Sequence, residues 1–256
     1  MPSWDSSQYL QFANERAQPC LDLVARIALS SPQRIIDLGC GPGNSTAVLR
    51  ARWPEVDLTG LDNSAEMLVT ARSSDSRAKW LESDIADWSP DAPYDLIFSN
   101  AALHWVPDHG TLFPRLLRAV APGGVLAVQM PGNHDAPVNQ LMRELTVSQS
   151  WRMHFPRPIN TWKAHSLPFY YDTLAPHASH VDLWVTEYLH ILHDHAAMIE
   201  WYRGTGLRPY LDALPRDTLR TAFCTDLLAG VRHAYLAQPD GRVLFPFRRI
   251  FIVARR

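Results

Sequence analysis

The chain has 256 residues, of which 46% are hydrophobic and 20% are charged, and its formal net charge at pH 7 is -2. This composition is typical of a globular protein and excludes disordered and fibrous classes, while the length suits one large α/β domain with or without a smaller insertion. A net charge near zero argues against a nucleic-acid partner bound on a broad basic face.

Cysteine content and hydropathy indicate a cytoplasmic protein. The three cysteines, Cys20, Cys40 and Cys224, are odd in number and far apart in the sequence, so we expect neither a disulfide framework nor a metal cluster of short spacing. The histidines of residues 190–195 match no zinc motif, so no metal is expected there either. The sequence shows neither a signal-peptide pattern nor a run of about eighteen apolar residues, so no membrane partner is expected.

The first 130 residues alternate between predicted helices and short apolar strands. An amphipathic helix at residues 9–28, interrupted near Pro19, is followed by predicted strands at residues 34–38, 56–61, 78–81, 94–98 and 125–129, with helices at residues 44–52, 64–72 and 111–120. Alternation of this kind predicts a parallel sheet with helices on both faces. We therefore interpret residues 1–133 as a nucleotide-binding type of core.

Beyond residue 133 the alternation stops, and tryptophan, histidine, tyrosine and proline become dense over residues 151–171. We expect an insertion or lid on the substrate side at residues 134–180. Residues 181–256 are expected to complete the sheet and to add further lid helices, with strands at residues 181–192 and 247–253 and helices at residues 196–202 and 217–236. The two late strands are expected to form an antiparallel hairpin at one edge of the sheet.

A glycine-rich turn at residues 39–43 (Gly-Cys-Gly-Pro-Gly) joins the first strand to the next helix. Such a turn lets the backbone approach a ligand closely and points the helix N-terminus at it. The dinucleotide fingerprint requires a third glycine where this sequence has Asn44, and the lysine and hydroxyl residue of a P-loop are absent, so NAD and P-loop nucleotides are disfavoured. Cys40 is expected to be a small turn residue rather than a nucleophile.

Residues 36–43 resemble motif I of the methyltransferases that use S-adenosylmethionine (AdoMet), and four later features match that class in order. The resemblance implies an α/β, Rossmann-like class I methyltransferase fold, with a mostly parallel sheet, an antiparallel edge strand and a small, mainly helical lid. It also implies AdoMet as cofactor and S-adenosyl-L-homocysteine as product. The residues expected to bind the cofactor are Arg16, Asp37, Gly39, Cys40, Gly41, Asp62, Asn63, Met67, Asp84, Ile85 and Asn100.

Three of these positions have a specific expected role. Asp62 ends the second strand, where a carboxylate can accept hydrogen bonds from both ribose hydroxyls. Asp84 and Ile85 resemble the adenine clamp of the class, with the carboxylate near the adenine amino group and the isoleucine against the ring. Arg16 lies on a stretch that covers the cofactor in similar methyltransferases, where a guanidinium can pair with the methionyl carboxylate.

Five further stretches, at residues 4–10, 99–105, 126–131, 205–209 and 249–255, resemble the trans-aconitate 2-methyltransferase family. The resemblance extends over nearly the whole chain. It implies a monomethyl ester formed on a carboxylate of trans-aconitate, a small tricarboxylate. Two alternatives stay open: the same fold acting on another small acid or on a nitrogen or oxygen nucleophile, and a non-catalytic AdoMet-binding protein.

Methylation of a carboxylate sets simple demands on the residues of the acceptor site. The acid is ionised at pH 7 and needs no general base, so no catalytic triad is expected. His104 and Trp105 follow Asn100 by one helical turn and are predicted to line the substrate site over the reactive methyl group. A trianion also needs cationic partners, and the late arginines are Arg152, Arg203, Arg208, Arg248 and Arg249. Arg203 and Arg248 are favoured because each stands beside aromatic residues.

Overall fold

The computed structural model describes residues 13–159 and 164–256, with side chains described from residue 17 onward. The start of the first predicted helix and the side chain of Arg16 lie outside the described residues. The described chain divides into a larger unit (residues 13–132, 164–186 and 249–256) and a smaller unit (residues 133–159 and 187–248). The predicted division by role at residues 133 and 180 remains a prediction.

Helices and strands follow each other in the order expected for an α/β protein. In chain order they are α1 (Ala13–Ala25), β1 (Arg34–Leu38), α2 (Asn44–Arg52), β2 (Asp57–Asp62), α3 (Ala65–Ser74), β3 (Lys79–Glu82), β4 (Tyr94–Asn100), a 3-10 helix (Leu103–Trp105), α4 (His109–Arg118), β5 (Val120–Pro131), α5 (Pro137–Val147), α6 (Leu167–Leu174), β6 (His180–Leu192), α7 (His195–Arg203), α8 (Arg208–Asp212), α9 (Asp217–Ala234) and β7 (Val243–Arg255).

The strands form one sheet in the order β3-β2-β1-β4-β5-β7-β6. Strands β1 to β5 pair in parallel, and β7 pairs with β5 in the antiparallel direction. The predicted fold class, a mostly parallel sheet with an antiparallel addition at one end, is confirmed. The strand order reverses between β1 and β4, and ligands of open α/β sheets bind at such a point, beside the carboxyl ends of the strands.

The late strands differ from the sequence prediction in two respects. Strand β7 begins at Val243 rather than at residue 247, because Val243, Phe245 and Phe247 alternate inward while Pro246 between them is exposed. Strands β6 and β7 are neighbours in the sheet, but they are not a hairpin, since three helices separate them in the chain. The sequence prediction left out the first residues of β7 because Pro246 follows them, and proline is typical of strand edges and interruptions.

The core of the larger unit packs the sheet against α4 and α6. Apolar side chains of β1, β4 and β5 meet Leu112, Phe113 and Leu116 of α4 and Tyr170 and Leu174 of α6. Burial of this kind stabilises by roughly 25 cal/mol for each Å² of apolar surface removed from water. Because α4 is held firmly by this core, side chains at its two ends can hold neighbouring loops in place by hydrogen bonds.

The smaller unit has its own core, built mainly from α5, α7, α9 and part of β7. Two of its buried polar side chains are joined to one tyrosine: the side-chain amides of Asn133 and Asn139 donate to Tyr202 Oη at 2.8 Å and 3.2 Å. Among the described residues, no helix is both long enough and apolar enough to cross a membrane.

Candidate functional site

The glycine-rich turn after β1 holds two strand ends together and leaves one side open. The Gly39 N–H donates to the Leu61 carbonyl at the end of β2, at 2.7 Å. Gly39 has φ +72°, and a Cβ there would lie 2.2 Å from the Ala102 Cβ, so only glycine fits. Gly41 has φ +53°, and a Cβ there would meet no atom of the described residues within 4 Å. The turn therefore packs tightly against Ala102 at Gly39 and leaves space for a ligand at Gly41.

Asp62 connects this turn to the beginning of α3. One oxygen of its carboxylate accepts the Gly41 N–H and the other accepts the Ser64 N–H, both at 2.9 Å. Each carboxylate oxygen can accept a second hydrogen bond, so Asp62 can still take two hydroxyl donors. Next to it, Asn63 is exposed and Met67 is buried.

Asp37, at the end of β1, is completely buried under the turn. Its Oδ2 accepts the hydroxyls of Ser45 and Thr46 at 2.6 Å and 2.7 Å, whereas Oδ1 has no hydrogen-bond partner among the described residues. Burial, with a smaller contribution from the charge of Asp62, raises the pKa of Asp37 to about 6. Burial also raises the pKa of the neighbouring Cys40 thiol far above its ordinary value, which agrees with its expected role as an unreactive turn residue.

The loop after β3 lies close to the same turn. Asp84 is exposed, and its Oδ1 accepts the Ala86 N–H at 2.8 Å. Ile85 is buried, and its Cδ1 would be 3.6 Å from a Cβ at Gly39. The loop thus presents one polar and one apolar side chain, as an adenine clamp requires.

The ends of β4 and β5 carry side-chain polar atoms that are buried without a hydrogen-bond partner among the described residues. Asn100 pairs in register with Gln129. Asn100 Oδ1 and both polar atoms of the Gln129 side chain have no hydrogen-bond partner among the described residues. Directly after Asn100, Ala101 has φ +57°, which a residue other than glycine adopts at a cost of about 1–2 kcal/mol. Unmet buried polar groups and backbone strain together are typical of a binding site.

His104 lies on the 3-10 helix that follows this bend and is only 4% exposed. Burial, followed by the positive charge of Arg249 and a smaller electrostatic effect of His109, lowers the pKa of His104 to about 3. Its imidazole is therefore neutral at physiological pH. The ring of Trp105 lies 4.8 Å from it, centroid to centroid, and this tryptophan is 37% exposed. His104 thus has its polar imidazole in the interior, whereas the large ring of Trp105 is partly exposed to solvent.

Arg249 is a buried arginine of the larger unit, 5% exposed, on β7 opposite Pro131 of β5. The two arginines favoured from the sequence belong to the smaller unit. Arg203 contacts Glu200 at 3.0 Å, and Arg248 is exposed. Their predicted contact with substrate remains a prediction, whereas the burial and charge described above favour Arg249.

Gln129 was not considered from the sequence, and Arg249 was named among the late arginines but not favoured, although both had a signal in the sequence. Gln129 is a polar residue inside an otherwise apolar strand. Arg249 is in phase with Phe247 and Phe251, both buried, so the period of two along a strand assigns it to an inward position and Arg248 to the opposite face.

Known methyltransferases are similar to this chain. A family model described as "Methyltransferase domain" matches residues 12–172. A trans-aconitate 2-methyltransferase from Azoarcus sp. (strain BH72) is 50% identical over 256 residues, covering 100% of both chains. One from Acidovorax sp. (strain JS42) is 46% identical and covers 100% of this chain and 99% of the relative.

Solved structures of lower identity share the fold. A phosphoethanolamine N-methyltransferase 2 from Haemonchus contortus, in complex with S-adenosyl-L-methionine, has a TM-score of 0.55 at 16% identity and covers 97% of this chain and 56% of its own. An S-adenosylmethionine-dependent methyltransferase from Mesorhizobium loti has a TM-score of 0.53 at 19% identity, with coverage of 92% and 96%. At these identities the likeness concerns the fold alone.

Proposed function

Because the chain belongs to the trans-aconitate 2-methyltransferase family, we propose that it methylates a carboxylate of trans-aconitate with AdoMet, in the larger unit at the carboxyl ends of β4 and β5. The observation that carries this assignment is the combination of Gln129, whose buried side-chain amide has no hydrogen-bond partner among the described residues, with the buried cation Arg249. The amide nitrogen of Gln129 and the guanidinium of Arg249 are hydrogen-bond donors, and a carboxylate has four lone-pair positions that donors can fill.

The residues around the glycine turn fit AdoMet as the cofactor. The open space at Gly41 admits a ligand close to the backbone, and the remaining lone pairs of Asp62 suit two ribose hydroxyls. Asp84 and Ile85 suit the polar edge and the face of an adenine ring. These residues, with Gly39, are the ones that we propose hold the cofactor.

AdoMet supplies, when bound, a methyl group on a positively charged sulfur that a carboxylate oxygen can attack directly. The protein needs to move no proton, because the acid is already ionised at pH 7. Its tasks are to orient the oxygen and to exclude water. We assign orientation to Arg249 and to neutral His104, which offers one N–H donor without a second positive charge, and we assign exclusion of water to Trp105.

The compartment is proposed on chemical grounds. All three cysteines are unpaired and buried, which suits a reducing environment such as the cytoplasm. The acceptor is a small anion, and we propose no nucleic-acid or membrane partner.

Transfer of labelled methyl from AdoMet to a panel of acids tests the function. The panel contains trans-aconitate, cis-aconitate, citrate, isocitrate and an unrelated small acid, and the product is checked for base lability, as expected of an ester. Selective labelling of trans-aconitate supports the proposal. Binding of AdoMet with labelling of a different acid would overturn the substrate assignment and leave the fold unchanged.

Two adjacent arginines provide a matched test of the acceptor site. Arg249→Met should raise KM or lower kcat for trans-aconitate, because removing one partner of a buried charge pair costs about 2–5 kcal/mol, or about 30-fold or more in kcat/KM. Arg248→Met changes an exposed arginine on the same strand and should retain most activity. If Arg248→Met loses activity and Arg249→Met retains it, the sequence prediction for Arg248 is right and Arg249 does not bind the substrate.

A further inference from the structure

His109, the first residue of α4, is completely buried and forms two hydrogen bonds through its ring. Nε2 lies 2.9 Å from the Leu103 carbonyl oxygen, and Nδ1 lies 2.7 Å from Tyr170 Oη. A carbonyl can only accept, so Nε2 carries the hydrogen and Nδ1 accepts the Tyr170 hydroxyl. Tyr170 Oη in turn accepts the backbone N–H of His165 at 3.0 Å. The network holds Leu103, the residue directly before His104, between α4 and α6.

This network requires a neutral His109. A protonated imidazole has two N–H donors and could not accept the Tyr170 hydroxyl. Burial, assisted by the charge of His165 and opposed by the hydrogen bond to Leu103, lowers the pKa of His109 and so maintains the neutral form.

Arg115, six residues further along α4, anchors a second loop. Its half-buried guanidinium donates to the Ile85 carbonyl at 2.8 Å through Nη2 and to the Trp88 carbonyl through Nη1. The planar fork of arginine can contact both carbonyls at once, which a lysine cannot do with the same geometry. Arg115 thereby fixes the loop of residues 84–88, which carries the proposed adenine-binding residues.

The two anchors act from one rigid helix on separate parts of the site. Leu112, Phe113 and Leu116 bury α4 in the core of the larger unit. His109 and Arg115 are about 9 Å apart along the helix axis, and they contact different loops.

We propose that His109 and Arg115 are positioning residues with separable effects: His109 orients the acceptor side of the site through Leu103, and Arg115 orients the cofactor side through Ile85 and Trp88. The predicted effect on methyl transfer rests on the proposed function. The predicted effects on loop protection and AdoMet binding do not, so failure of the two proposals can be told apart.

Amide hydrogen exchange of the full chain tests the two anchors without any substrate. Tyr170→Phe removes only the hydroxyl that His109 accepts, and it should speed exchange of the Trp105 and Val106 amides roughly tenfold, with the loop of residues 84–88 unchanged. Arg115→Met should speed exchange of the amides of residues 87 and 88 by a similar factor, with the 3-10 helix unchanged. The proposal would be overturned if either variant speeded amide exchange equally in both loops, or if it speeded exchange in neither loop.

Binding and turnover measurements on the same variants give the second arm. Arg115→Met should raise the AdoMet Kd about tenfold and leave kcat at saturating AdoMet within about twofold. Tyr170→Phe should leave the AdoMet Kd within about twofold and lower kcat/KM for trans-aconitate about tenfold. The reverse pattern would overturn the assignment of the two anchors.

Two exposed neighbours serve as matched controls. Arg118→Met lies on the same helix one turn after Arg115, and Tyr171→Phe changes the exposed tyrosine beside Tyr170. Both should match the wild type in exchange, binding and turnover. If wild-type protein binds AdoMet but does not methylate trans-aconitate, the proposed function fails, while the exchange and binding results still decide the roles of the two anchors.

Discussion

Replacing Gly39 by alanine should destabilise the larger unit by about 2 kcal/mol or more. The backbone at residue 39 has φ +72°, which costs an L-residue about 1–2 kcal/mol. The new Cβ would also lie 2.2 Å from the Cβ of Ala102, an atom fixed to the backbone, so the bend after β4 would have to move. Overpacking of this kind costs about 1–3 kcal/mol.

Gly41→Ala is the matched control, because an added Cβ there has no neighbour within 4 Å in the part of the chain that the structure describes. Its cost to folding is limited to the positive φ, about 1–2 kcal/mol, and is partly offset by the lower entropy of the unfolded chain. The added Cβ does, however, enter the space proposed for the cofactor. The control should therefore be more stable than Gly39→Ala, yet bind AdoMet at least tenfold more weakly than the wild type.

Thermal unfolding without ligand and calorimetric titration with AdoMet measure both effects. A cost of about 2 kcal/mol lowers Tm by about 4 °C or more in a protein of this size. A wild-type Tm for Gly39→Ala would refute the close approach between the turn and Ala102. Wild-type AdoMet affinity for Gly41→Ala would refute the proposed cofactor position.

Three further predictions concern ionisable residues of the site. Because the pKa of Asp37 is raised to about 6, its contribution to stability is present near pH 4 and is lost as the pH rises through 6. Urea unfolding should therefore show the free energy of unfolding decline by about 3 kcal/mol over this range in the wild type but not in Asp37→Asn. Parallel pH curves for the two proteins would contradict this. Because the pKa of His104 is lowered to about 3, the kcat/KM profiles of wild type and His104→Asn should run parallel between pH 6 and 8; an inflection found only in the wild type would show a titrating imidazole. Asp62→Ala should weaken AdoMet binding, whereas His104→Ala should impair methyl transfer with AdoMet binding preserved. Calorimetry measures the binding and a turnover assay measures the transfer, each on a variant shown to be folded. These roles would be disproved if the two variants bound AdoMet and turned over like the wild type.

The parallel core could be predicted because its signals are local. The apolar runs that became β1 and β4 are bounded by turn residues, and the glycines of residues 39–43 indicate a turn with positive φ, which all three glycines there have. Helices α5, α6 and α8 were missed, although each has a proline at its first or second position, a typical helix start. Their short and mixed apolar patterns were too weak to show a period of 3.6 residues.

The cofactor side of the site was more predictable than the acceptor side for a physical reason. Cofactor residues follow strand ends in sequence order, so the topology of a parallel sheet brings them together. Arg249 and Tyr170 reach the site region of the larger unit from distant parts of the chain, through the antiparallel β7 and through α6. Periodicity can indicate that such a residue is buried, but not which residue it faces.

The most direct test of the account is a crystal structure of the complex with S-adenosyl-L-homocysteine and trans-aconitate. We predict one substrate carboxylate on the guanidinium of Arg249, with another beside His104. Carboxylates bound by Arg203 or Arg248, with Arg249 away from the substrate, would contradict it.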